Sequence, residues 1–105
     1  MNVPQEPTLR KYGITLDEWL EMYWKYGGRC HVCLQKQSPK AKRALHIEHK
    51  HVKGWKAMPP EEKKKHVRGI CCFICNNRLL TRGVTPEKLR NAADYLDKHE
   101  KSKLS

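Results

Sequence analysis

Two Cys-x-x-Cys pairs, Cys30–Cys33 and Cys72–Cys75, constrain this chain more than anything else in it. Together they offer four thiolates, the full set for one tetrahedral zinc, and a closed tetrathiolate site leaves no open position for chemistry. Such a zinc is expected to be structural. It ties the ends of a 38-residue loop, longer than the about 15–20 residues between the pairs of a plain zinc ribbon. The loop carries His46-Ile47-Glu48-His49-Lys50-His51. A chain of 105 residues with 38% apolar residues is one domain with a limited core, and a structural metal makes up the shortfall.

The fifth thiol, Cys71, is read as a small buried residue, with a shifted Cys71-x3-Cys75 pairing as the alternative. Five cysteines do not fit a disulfide scaffold. The start, Met1 to Pro7, has no apolar stretch of a signal peptide, and no apolar run reaches the ~20 residues of a membrane span. A reducing cytoplasm is the expected location.

The formal net charge is +11, and between Lys36 and Arg68 there are 11 Lys/Arg against 3 Glu. Most of the positive field therefore surrounds the histidine cluster. Charge this large argues for an anionic partner, foremost a nucleic acid, over a merely soluble basic protein.

Along the chain, residues 1–13 read as an extended or loose arm, and 14–105 as the single zinc-containing domain. Thr15 and Glu18 form a capping box for a helix carrying Leu16, Trp19, Leu20, Tyr23 and Trp24 at core spacing, closed by Gly27-Gly28. Ala44–His49 is a strand candidate. Its alternation puts Leu45, Ile47 and His49 on one face and His46 and Glu48 on the other, unless a break near His49 changes the facing. Pro60 begins a short helix, Val67–Cys71 is a second strand, and Asn76–Leu80 opens a helix. Thr85-Pro86 starts a last helix with Leu89, Ala92, Ala93 and Leu96 on one face, fading by His99.

The residue types suit phosphodiester hydrolysis. His49 can serve as a base near neutral pH. Glu48 and Asn76 bring oxygen donors suited to a hard cation such as Mg²⁺. The bland alternative makes these histidines surface residues or support for the zinc.

The sequence resembles the phage recombination endonuclease VII family, a branch of the His-Me finger (ββα-metal, HNH-like) nucleases. The resemblance rests on Cys30-x2-Cys33, on Leu45-His46-Ile47-Glu48-His49-Lys50-His51, on Val67-Arg68-Gly69-Ile70-Cys71-Cys72-x2-Cys75-Asn76, and on the helix to Ala92-Ala93-x-Tyr95-Leu96. It implies an α+β fold: a small zinc-stapled His-Me finger domain, mostly helical with a short β-hairpin. It implies a metal-dependent endonuclease that cuts branched DNA such as Holliday junctions and works as a homodimer. By position, Glu48 and Asn76 would hold the catalytic Mg²⁺ or Mn²⁺, His49 would be the general base, and His51 would orient the site or hold a phosphate. Arg43, Lys50, Lys53 and Arg68 are candidate DNA-phosphate contacts. Where the family has Asp-His-Asp-His, this chain has Glu48-His49-Lys50-His51. Glu48 moves its carboxylate by roughly 1–1.5 Å, which leaves an adapted site, a preference for a larger cation such as Mn²⁺, or a weakened site as alternatives, and Lys50 exchanges an acid for a base. A further carboxylate of some members is missing near Leu79-Leu80. The competing functions are a low-specificity nicking endonuclease and a non-catalytic zinc module that binds nucleic acid.

Overall fold

The computed structural model describes residues 1–104, with side chains described as far as Glu100. It is a small α+β arrangement around one two-stranded antiparallel hairpin.

The stretch expected to be a loose arm is helical: α1 spans Glu6–Tyr12, with Leu9 buried. Pro7 sits in the first turn, where its missing N–H costs nothing. Gly13 ends α1 in the left-handed region at φ 70°. A Cβ there would lie 2.3 Å from the Pro60 carbonyl oxygen, so only glycine lets the chain turn this close to its neighbour.

Helix α2, Leu16–Lys25, has the capping box its sequence specifies. Thr15 Oγ1 accepts from the Glu18 N–H at 3.1 Å, and the Thr15 N–H donates to Glu18 Oε1 at 2.9 Å. Trp19 is wholly buried at the centre of the core with Leu45, Ile70, Cys30 and Cys71; truncating such an aromatic to Ala costs about 3–5 kcal/mol. The aromatic stripe does not all enter the core. Trp24 is 63% exposed and Leu16 40%, because α2 offers one face to a core this thin.

Strand β1, His46–His49, pairs antiparallel with β2, Val67–Cys71. The register runs His46 against Cys71, Ile47 against Ile70 and Glu48 against Gly69, then shifts so that His49 faces Val67. This break interrupts the alternation at the histidine. Between the strands, Gly54 turns the chain into a single 3-10 turn at Trp55–Ala57, followed by α3, Pro60–Lys64. Helix α3 supports α1 and is tied to α2 by an ion pair of 2.8 Å between Lys64 Nζ and Glu18 Oε2.

After β2 the chain makes a π-helical turn, Cys75–Leu79, closed by Leu80 N–H to the Cys75 carbonyl at 2.8 Å. The helix expected from Asn76 is thus confined to this wide turn, a form frequent at functional sites. Helix α4 runs Pro86–Leu104, beyond the expected fade at His99, and every residue from Arg90 to Glu100 is exposed. No helix among the described residues is long and apolar enough to cross a membrane.

Candidate metal centre and histidine site

The first pair of cysteines follows α2 and the second enters the π-helical turn, and the fold brings all four together. The Sγ atoms of Cys30, Cys33, Cys72 and Cys75 lie within 4.8 Å of one another. Cys33 and Cys72 are 4.0 Å apart, close to the about 3.8 Å edge of a tetrahedron with Zn–S bonds near 2.3 Å. The cluster can therefore hold a structural zinc ion. Cys30 Sγ accepts backbone N–H bonds from Val32, Cys33 and Cys72 at 3.3, 3.4 and 3.3 Å. Burial works against its thiolate, but these donors outweigh it and bring the thiol down to about 7. Cys71 is separate: it lies fully buried in β2, and burial pushes its thiol up to about 12.

His31, inside the first pair, locks the knuckle to the hairpin. Its Nδ1 accepts from the Ile70 N–H at 3.4 Å, which leaves Nε2 to donate to the Met22 carbonyl at 2.7 Å. A Cβ at residue 69 would sit 2.6 Å from that Nδ1, so Gly69 is glycine to admit His31. Composition treats His31 as one more histidine; the clue was its place between two ligands.

Along β1 the candidate residues separate. His46 Nδ1 lies 3.3 Å from Asn76 Nδ2, so the π-helical turn delivers Asn76 to His46. Burial, then the positive charge of Arg43, lowers the His46 pKa. A cleft of about 450 Å³ runs past this pair, lined also by Lys42, Arg43, Gln5, Thr8 and Tyr12.

Glu48 is buried, only 6% exposed. Both of its oxygens are bonded by Arg68: Nε reaches Oε1 at 2.9 Å, and a terminal guanidinium nitrogen bonds Oε2. Arg68, a candidate phosphate contact, is bonded to Glu48 in this structure. The carboxylate and the Asn76 amide are oxygen donors of the right chemistry for a hard cation. Both Glu48 oxygens are bonded by Arg68, and the Asn76 amide nitrogen is set against His46.

His49 stands in an aromatic enclosure. Its ring stacks on Trp55, centroids 3.7 Å apart and planes 6° from parallel. Tyr12 of α1 lies 5.9 Å away and His51 5.5 Å. Burial lowers the pKa of His49, reinforced by His51, Arg68 and Lys11, while Glu48 opposes. The imidazole is thus biased to the neutral form, the state a general base requires. His51, Lys50, Lys53 and Arg43 are exposed. His51 and Lys53 share a second cleft with Trp55 and Arg82. Trp55 and Tyr12 carried no sequence signal, since neither sits in the histidine motif.

Fold and site define a small α+β domain with a four-thiol cluster clasping a histidine-bearing hairpin. The chain belongs to the recombination endonuclease VII family, which it matches over residues 5–98. It is 38% identical over 92 residues to the gene 59 protein of Mycobacterium phage D29, covering 86% of this chain and 47% of that protein. It is 39% identical over 72 residues to the gene 59 protein of Mycobacterium phage L5, covering 69% of this chain and 36% of that protein. The chain thus spans less than half the length of these relatives. No solved structure matches it.

Proposed function

We propose that this chain is a DNA endonuclease that hydrolyses phosphodiester bonds in branched DNA, with His49 as the base that activates water. The observation that carries the reading is His49 itself: a neutral-biased imidazole, held in an aromatic enclosure at a strand break, in a chain of the endonuclease VII family. His49 takes the proton from an attacking water. His51, 5.5 Å away by ring centroid, orients the phosphate, and Arg43, Lys50 and Lys53 hold flanking phosphates. A hairpin followed by the helical turn carrying Asn76 is the order that a His-Me finger reading asks for. The zinc of the four cysteines would fix that turn against β1.

The resemblance implies Mg²⁺ or Mn²⁺ at Glu48 and Asn76; when bound there, such a cation would neutralise charge on the phosphate and the leaving 3′ oxygen. Binding there requires Arg68 to release Glu48. Paired cuts across a junction call for a homodimer, for which the exposed residues of α2 and of α4 are candidate surfaces. The host cytoplasm is the expected setting.

A second reading is a zinc module that binds nucleic acid without cutting it, and the occupied Glu48 carboxylate favours it. The test is cleavage of a labelled four-way junction and a matched linear duplex with Mg²⁺ or Mn²⁺, comparing the native chain with His49→Ala. Junction cutting abolished by the substitution supports the endonuclease. Equal cutting of both substrates supports a low-specificity nicking enzyme. Tight binding without cutting supports the zinc module.

A further inference from the structure

Among the described residues no hydrogen bond orients the His49 ring, and the register shift between Glu48 and His49 takes the histidine out of regular pairing. Its imidazole needs another restraint if it is to meet a water in a fixed direction. The closest ring contact in the molecule supplies one. Trp55 lies flat on His49 at 3.7 Å and 6°, and Trp55 is itself braced. Tyr12 meets it at 5.9 Å, His66 at 6.3 Å edge-on, and Lys63 Nζ sits 5.4 Å from its ring centroid on a residue only 9% exposed. The left-handed turn at Gly54, φ 80°, delivers the indole to this place.

Resting on the reading of His49 as base, we propose that Trp55 is its positioning residue. Stacking fixes the plane of the imidazole without using either ring nitrogen, so one remains for the water proton. A hydrogen-bonding partner would consume a nitrogen; a face-on aromatic does not.

The test uses the full zinc-loaded chain and a four-way junction with Mn²⁺. Trp55→Ala is expected to lower kcat by about tenfold to a hundredfold, the scale of a ~1 Å misplacement, with KM within about twofold. Trp55→Phe, which keeps an aromatic face, restores most of the rate. Trp55→Leu, which keeps apolar bulk alone, does not, and it carries the comparison if Trp55→Ala fails to fold. Independently of activity, the His49 ring protons, assigned by their loss in His49→Ala, resonate upfield through the indole ring current. They return downfield in Trp55→Leu. Full kcat in Trp55→Leu, or His49 protons unshifted in the native chain, overturns the positioning role. Cleavage retained by His49→Ala overturns the base assignment beneath it, and that failure is distinguishable because the proton shifts still report the stack.

Discussion

Arg68 lays its guanidinium along the Glu48 carboxylate, with Nε 2.9 Å from Oε1 and a terminal nitrogen on Oε2. An internal cation thus occupies the carboxylate that family resemblance reserves for a metal. The Arg68 side chain is 51% exposed and that of Glu48 8%, so water screens the pair from one side only. Arg68→Ala leaves the carboxylate buried and unpaired, at a cost of about 1–3 kcal/mol, read as a lower denaturation midpoint. The same change frees Glu48, so millimolar Mn²⁺ should raise the midpoint of the variant more than that of the native chain. Equal responses would remove Glu48 from the cation site.

The four-thiol cluster predicts one zinc per chain. Apparent binding free energies of structural zinc, about 10–16 kcal/mol, match or exceed the whole stability of a typical domain. Chelation should therefore unfold the protein, as followed by circular dichroism with metal analysis. Cys30→Ser should abolish stoichiometric zinc, whereas Cys71→Ala, at the core thiol outside the cluster, should retain it.

Burial, then the charge of His51, holds His49 below 6.5, the ordinary imidazole value. Between the folded value and 6.5 the unfolded chain binds more protons than the native one, so this group adds stability as pH rises through that window and nothing further above it. For cleavage the same shift keeps the base neutral to lower pH. The acid limb of kcat/KM should fall below pH 6.5, and His51→Ala should move it upward toward that value. A limb that stays in place on removing His51 would contradict the coupling.

Helix α4 leaves Tyr95 63% and Leu96 59% exposed. Sedimentation should find a dimer at micromolar concentration. Leu96→Glu should shift it to monomer without loss of zinc, and paired junction cuts should become single nicks. A native monomer would rule out α4 as the dimer face.

Arg43, Lys50 and Lys53 are exposed. If each neutralises one phosphate, replacing it with Ala lowers the slope of log K against log salt by about 1. Arg68→Ala should leave that slope unchanged, because its guanidinium is committed to Glu48. Junction-binding titrations at three salt concentrations check both statements.

What the sequence made legible was local chemistry. The Thr15–Glu18 capping box, the Pro60 and Pro86 helix starts and the strand Val67–Cys71 all appear at their expected positions. The cysteine cluster followed from ligand type and spacing. The missed features depend on distant partners. Residues 6–12 include Pro7 and follow Pro4, yet they fold because Leu9 is buried and α3 packs against them. The Arg68–Glu48 pair joins residues 20 apart in sequence through a particular strand register. The walls around His49 come from positions 12 and 55, whose convergence no local pattern encodes.

The seating of α1 on α3 also imposes an order on synthesis. Tyr12 is translated well ahead of the hairpin, but the surface that holds its helix, beginning at Pro60, does not exist until nearly fifty further residues have been added. The helix carrying Tyr12 therefore waits for its seat, and a nascent chain carrying the whole histidine motif still lacks part of the wall that encloses it.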